Sequence, residues 1–154
     1  MAYWLMKSEP DVFSIKHLEL SPNQTEHWDG VRNYQARNYM RDDLKTGDLV
    51  FFYHSNCKEP GIVGIAEVVR EAYPDETAFD PGSKYFDPKS TQNNPRWFMV
   101  DVKFVRRLRR TISLQELKTH AVALPDFPLL NKGDRLSVMP LSEEEWEFIL
   151  SLEK

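Results

Sequence analysis

The segment from Lys45 to Arg70 constrains this chain more than any other. Lys45-Thr46-Gly47-Asp48 has turn chemistry, and Leu49-Val50-Phe51-Phe52-Tyr53-His54-Ser55 follows as a strand. Its first residues are apolar at consecutive positions, so both faces need cover. A strand of that kind belongs in the middle of a sheet. After the loop Asn56-Cys57-Lys58-Glu59-Pro60-Gly61, the run Ile62 to Arg70 reads as the returning strand of a hairpin. Gly64 and Ala66 are small and share one face of it, which invites another element to approach closely.

The remaining pattern is built around that hairpin. Tyr3-Trp4-Leu5-Met6-Lys7 reads as a first strand that stops at Ser8-Glu9-Pro10, because proline cannot donate to a ladder. Trp4 is expected in the core. A short helix over Ser14 to Leu18 follows, then a polar loop through Ser21-Pro22-Asn23. Residues 72–95 are broken by prolines at 74, 81, 88 and 95, and irregular segments of that length are often functional. Trp97 to Val105 is a strong strand that runs into the basic segment Arg106-Arg107-Leu108-Arg109-Arg110. Ser113 with Glu116 forms a capping box that opens a helix. Lys132-Gly133-Asp134 repeats the earlier turn, Arg135 to Pro140 is a last strand, and Ser142 to Leu150 is a closing helix with Trp146 in its apolar face. Strands separated by short helices, without βαβ alternation, predict an α+β domain around a strongly bent sheet or small barrel.

Composition narrows the function. The 154 residues carry a net charge of −4, which argues against coating nucleic acid by bulk electrostatics but permits a local basic patch. A single cysteine, Cys57, excludes an intrachain disulfide and fits a reducing compartment. No apolar run approaches the roughly 20 residues that span a bilayer, and the first residues lack a signal-peptide pattern. A soluble cytoplasmic monomer with no membrane partner is expected.

The chemistry concentrates in Trp28-Asp29-Gly30-Val31-Arg32-Asn33-Tyr34-Gln35-Ala36-Arg37-Asn38-Tyr39-Met40-Arg41. Read as a helix with Asp29 as its cap, this run puts Asn33, Arg37 and Arg41 on one face. Its N-terminus suits an anion, and Trp28 offers a flat ring. A ring, amides and a positive pole are what a nucleobase and its phosphate require. Asn33 and Ser55 can read a base edge, Trp97 can supply a second ring, and Arg37 can hold a flanking phosphate. Tyr34 lies in the same run. Lys7, Ser8 and Glu9 end a strand, where backbone groups become free to bind. Strand parity places Tyr53 and His54 on opposite faces, so one of them faces such a pocket. Arg32, Arg41, Arg106, Arg107, Arg109 and Arg110 are candidates for a phosphate track, against the alternative of a salt-bridged surface.

Nothing here has the spacing of a catalytic triad or nucleophile elbow. His54 and Cys57 form a lone H-x-x-C without further ligand pairs, so no metal is expected. The 6 glycines are scattered, and no phosphate loop or cofactor is expected.

Trp4-Leu5-Met6-Lys7-Ser8-Glu9-Pro10, the Trp28 to Asn38 stretch, Phe52 to Cys57 and Gly64-Ile65-Ala66-Glu67-Val68 together resemble the EVE-domain family, in order and over nearly the whole chain. The chain looks like a stand-alone bacterial member, one domain over residues 1–154. The resemblance implies a PUA-like fold, a small mixed β-barrel with flanking short helices. It also implies a binding module without catalysis, which captures a modified base of DNA or RNA, with modified cytosine the leading candidate. The alternatives are a free-nucleoside or small-molecule sensor using the same pocket, or an enzyme acting on a nucleobase.

Overall fold

The computed structural model describes residues 1–133 and 135–153, so Asp134 of the second turn lies outside the described residues. The apolar run forms β3 (Leu49–His54). It pairs in parallel with β1 (Tyr3–Ser8) and antiparallel with β4 (Gly61–Pro74). β5 (Phe98–Ser113) lies against β4, and β2 (Thr25–His27) against β5. β6 (Val138–Leu141) pairs antiparallel with β1. The order across the mixed sheet is β2-β5-β4-β3-β1-β6, so β3 is central, as its two apolar faces require.

Alternation sorts the side chains onto two cores. Trp4, Met6, Val50, Phe52, Ala66, Val68, Val100 and Val102 belong to one cluster. Helix α1 (Ile15–Leu20) and the helix α2 (Tyr34–Asn38), with its continuing π turn Tyr39–Asp43, cover that face through Ile15, Leu18, Ala36 and Met40. Leu5, Phe51, Tyr53, Ile65, Ile112 and Met139 belong to the other. There α3 (Leu114–Thr119) and α4 (Glu143–Ser151) pack, and Trp146 stacks on Phe51 with ring centroids 3.7 Å apart. The smallness of Gly64 has a definite use: a Cβ there would lie 2.7 Å from Ile15 Cδ1 of α1.

The expected barrel is not closed. Among the described residues no ladder joins the edge strands β2 and β6. They have 3 and 4 residues, too short to carry a closing seam, and helices on both faces fill the core without a lumen. Bending comes instead from bulges, four of them in the β4–β5 ladder. β5 extends to Ser113, so the arginines from 106 to 110 belong to a strand. Asp48 ties the first turn to β1: its carboxylate accepts from the Ala2 and Lys45 backbone N–H groups and from Trp4 Nε1 at 2.9 Å. The capping box is complete at Ser142 and Glu145. At α3 only Ser113 caps, since the Glu116 carboxylate turns to Arg110.

Candidate functional site

A cleft of about 740 Å³ opens on the α1–α2 side of the sheet. Three segments build it. The end of β1 supplies Lys7, Ser8 and Glu9, followed by Val12 and Phe13. β2 and the chain after it supply Glu26 through Asn33, and residues 72–95 reach over with Lys84 and Tyr85. Ser55, Arg135 and Ser137 complete the wall. Parallel pairing carries β1 and β3 to the same edge, where Ser55 N donates to Ser8 O at 3.0 Å and Lys7 N to Ser137 O at 2.8 Å.

A buried carboxylate holds the long loop against the Trp28 segment. Asp75 accepts from the Gly30 N–H at 2.8 Å, from Arg32 Nη1 at 3.0 Å and from the Thr77 hydroxyl and N–H at 2.6 and 2.9 Å. Burial pushes the Asp75 carboxyl up, but these donors outweigh it and hold it below the usual range. Arg32 also donates from Nη2 to Tyr85 O at 2.7 Å, with its guanidinium 5.5 Å from the Tyr85 ring centroid. Gly30 has φ +77, and a Cβ on it would sit 2.6 Å from Tyr85 Cζ. The glycine thus lets an aromatic ring from the loop lie on its backbone.

The cleft is electrically mixed. Lys7, Lys84 and Arg135 face Glu9, Glu26 and Asp29. His27 lies 3.0 Å from Glu26 Oε1 through Nδ1 and 3.5 Å from Asp29 Oδ2 through Nε2. Asp29 is pushed up from its ordinary value by burial and then by the neighbouring Asp75 charge, with His27 and Arg32 opposing.

Six of the expected site residues meet here: Lys7, Ser8, Glu9, Trp28, Asn33 and Ser55. Two of them are engaged differently from expectation. Trp28 exposes 6% of its surface, edge-on to Phe52 and Phe13 at 5.3 and 6.1 Å, so its ring is a wall of the core more than an open platform. Asn33, not Asp29, caps α2, accepting from Ala36 N at 2.9 Å, because the chain stays extended until Asn33. The Ser8 hydroxyl donates to Phe13 O at 2.6 Å, and Glu9 accepts from the Asn56 amide at 2.9 Å.

Tyr34, Arg37 and Trp97 gather outside the cleft. Tyr34 stacks on Trp97 at 4.8 Å, the Trp97 Nε1 donates to Asp87 Oδ2 at 2.7 Å, and Arg37 Nη1 donates to Arg96 O at 2.7 Å. Tyr53 and His54 do lie on opposite faces, yet neither lines the cleft. Tyr53 is buried in the far core, its hydroxyl pKa pushed up to about 12 by burial. His54 Nε2 accepts from Ile15 N at 3.1 Å, capping α1, and its pKa is lowered by burial and by Arg107. The basic strand is a salt-bridged surface: Arg106 pairs with Glu153, Arg107 with Glu19 and Arg110 with Glu116, at 2.6–2.9 Å. Arg41 pairs with Asp42. Tyr85, Phe13 and Glu26 of β2 were not singled out as site residues from sequence. The signal for Tyr85 was its place beside Lys84 in the long irregular segment. Among the described residues, no three His, Cys, Asp or Glu side chains come together to hold a metal ion, and no helix is long and apolar enough to cross a membrane.

The family model of the EVE domain matches residues 2–152. Thymocyte nuclear protein 1 from Homo sapiens is 50% identical over 168 residues, covering 99% of this chain and 74% of that protein. The fold is that of a solved protein from Pseudomonas syringae, with a TM-score of 0.92 and 51% identity over 98% of this chain and 99% of that one. It is also that of human THYN1 solved in complex with 5-methylcytosine-containing DNA, with a TM-score of 0.91 and 50% identity over 100% of this chain and 98% of that one. By fold and sequence alike, the chain belongs to the EVE-domain family.

Proposed function

We propose that this protein is a DNA-binding module that takes one modified base, 5-methylcytosine first among candidates, into the cleft between β1, the Trp28–Asn33 segment and the Tyr85 loop. The observation that carries the reading is the human relative solved with 5-methylcytosine-containing DNA, half identical to this chain over its whole length. The cleft supports it in three ways. Its volume of about 740 Å³ lies within the roughly 300–1,000 Å³ of ordinary ligand clefts. It combines aromatic walls with acceptors and donors, as a base taken out of its stack requires. Lys7, Lys84 and Arg135 at its lining can meet the phosphates on either side of that base.

The protein acts as a binder and not as an enzyme in this reading. The Ser8 hydroxyl in the cleft donates to the Phe13 carbonyl, and His54, its partner in the strand register, has its Nε2 engaged by the Ile15 N–H, so the two are not paired as nucleophile and base.

Fluorescence anisotropy at fixed moderate salt tests the proposal. Duplexes and single strands of DNA and RNA are compared with cytosine or 5-methylcytosine at one position. Affinity at least tenfold higher for methylated DNA, about 1.4 kcal/mol, supports it. Equal affinity for all, falling steeply with salt, overturns it and leaves only phosphate contact. A preference for RNA overturns the choice of DNA.

A further inference from the structure

The three carboxylates of the cleft are unlike one another. Glu9 is held by the Asn56 amide, and Glu26 by the ring and backbone N–H of His27. Asp29 keeps a looser arrangement: His27 Nε2 stands 3.5 Å away, longer than a good hydrogen bond, and about a third of the side chain, 32%, is exposed to the cleft. It is fixed between Trp28, which is packed in the core, and Gly30, whose N–H is held by Asp75. A carboxylate in a site for polyanions repels phosphate, so its place here calls for a donor on the ligand. Cytosine offers one in its 4-amino group, the partner that Asp and Glu accept from.

We infer that Asp29 reads the Watson–Crick edge of the captured cytosine, its carboxyl accepting from the 4-amino group and sharing one proton, taken from solvent, with N3. The inference rests on the base-capturing function proposed above. The geometry of the edge requires the proton. Cytosine presents an acceptor at N3 beside the donor at N4, so a fully ionised carboxylate faces a lone pair there. One proton between Oδ and N3 turns that repulsion into a second hydrogen bond, and no other atom changes bonding.

The surroundings favour uptake of that proton. Asp75 lies behind Asp29 and is kept ionised by its own donors, while burial disfavours a second negative charge nearby. His27 and Arg32 oppose it from the same segment. Lys84 on the loop, and Lys7, Glu9 and Arg135 across the cleft, are the other charged groups of the lining near β1 and the loop, with Glu26 already engaged by His27.

A two-by-two experiment tests this. Wild type and Asp29→Ala are titrated with duplexes carrying 5-methylcytosine or 5-methyl-2-pyrimidinone, which lacks the 4-amino group. If Asp29 reads that group, Asp29→Ala costs at least tenfold on 5-methylcytosine and at least threefold less on the analogue, where only the bond to N3 is lost. Equal losses on both bases, or none, overturn the inference while leaving methyl-selective binding by the wild type intact. Failure of the wild type to prefer methylated DNA overturns both readings.

Asp29→Asn is the conservative variant, since its amide supplies one donor and one acceptor without a proton from solvent. It recovers binding relative to Asp29→Ala. Calorimetry in two buffers of different ionisation enthalpy reads about one proton taken up by wild type and close to none by Asp29→Asn. Equal uptake by the two proteins overturns the proton-sharing step and points to His27.

Discussion

The two faces of the sheet are filled by different means. On the α3–α4 side, apolar groups interlock: Trp146 stacks on Phe51, and Phe127, Leu117 and Ile149 are fully buried around them. On the α1–α2 side the core gives way at one edge to a polar structure, in which a buried Asp75 gathers Gly30, Arg32 and Thr77. Apolar packing is tolerant of detail but has no recess. Directed hydrogen bonds fix where a loop lies and leave a cleft between rigid walls. Both faces carry a buried core, and under the function proposed above recognition falls on the α1–α2 side alone.

The sharpest break of that division is Trp146→Ala. It should destabilise by about 3–5 kcal/mol in a denaturant titration, because a buried indole leaves a cavity. Binding per folded molecule should be unchanged. Asp75→Ala should cost on the order of 2 kcal/mol, since it strands the Gly30 N–H and one side of Arg32. It should also weaken DNA binding by tenfold or more, as the loop carrying Tyr85 loses its anchor. Equal binding by this variant would remove the loop from the site.

Gly30→Ala is a smaller probe of the same wall. A side chain at φ +77 costs about 1–2 kcal/mol, and it drives Tyr85 off the backbone. Combined with Tyr85→Ala, the loss should be less than the sum of the two, and additivity would show that the contact is incidental. Protonation of His54 gives a pH signature on the cleft side. Its folded pKa lies below the unfolded 6.5, so the unfolded chain takes the proton first. Stability should be full above about pH 6.5 and fall as the pH drops from there towards the folded value. His54→Gln should flatten that slope in urea melts. Least of all should Arg106→Ala and Arg110→Ala matter for DNA. Their guanidinium groups are paired with Glu153 and Glu116, so affinity should stay within twofold and the salt slope should not change.

The parts legible in the sequence were those set by local pattern. Two apolar faces placed β3 in the centre, parity separated Tyr53 from His54, and the small Gly64 accommodated α1. The motifs of the family resemblance include the end of β1, the Trp28 to Asn33 segment and Ser55, all of which line the cleft, but not its loop wall. Parity, however, says which side a residue takes and not what covers it: Tyr53 met the far core and His54 a helix end. The Asp29 cap failed because Asn33 offers an equivalent side chain later in the run, where the helix begins. Tyr85 was out of reach for a different reason. It meets Arg32 across 53 positions of sequence, and no periodicity encodes such a pairing. For the arginine run both readings stood open in the sequence, and the salt-bridged surface is the one found, with Glu116 only six positions from Arg110 but Glu19 and Glu153 supplied from far along the chain.

The sheet order also bears on how the molecule is made. β1 is made long before β6, yet it lies between β3 and β6, and β6 begins only at Val138. Until that last strand arrives, β1 presents Trp4, Leu5 and Met6 on an unpaired edge, the kind of edge that recruits other chains. Ser137, which bonds Lys7 at the cleft, arrives at the same moment. Nascent chains should therefore be prone to aggregate and unable to bind until β6 has been made, and both conditions end together when it docks.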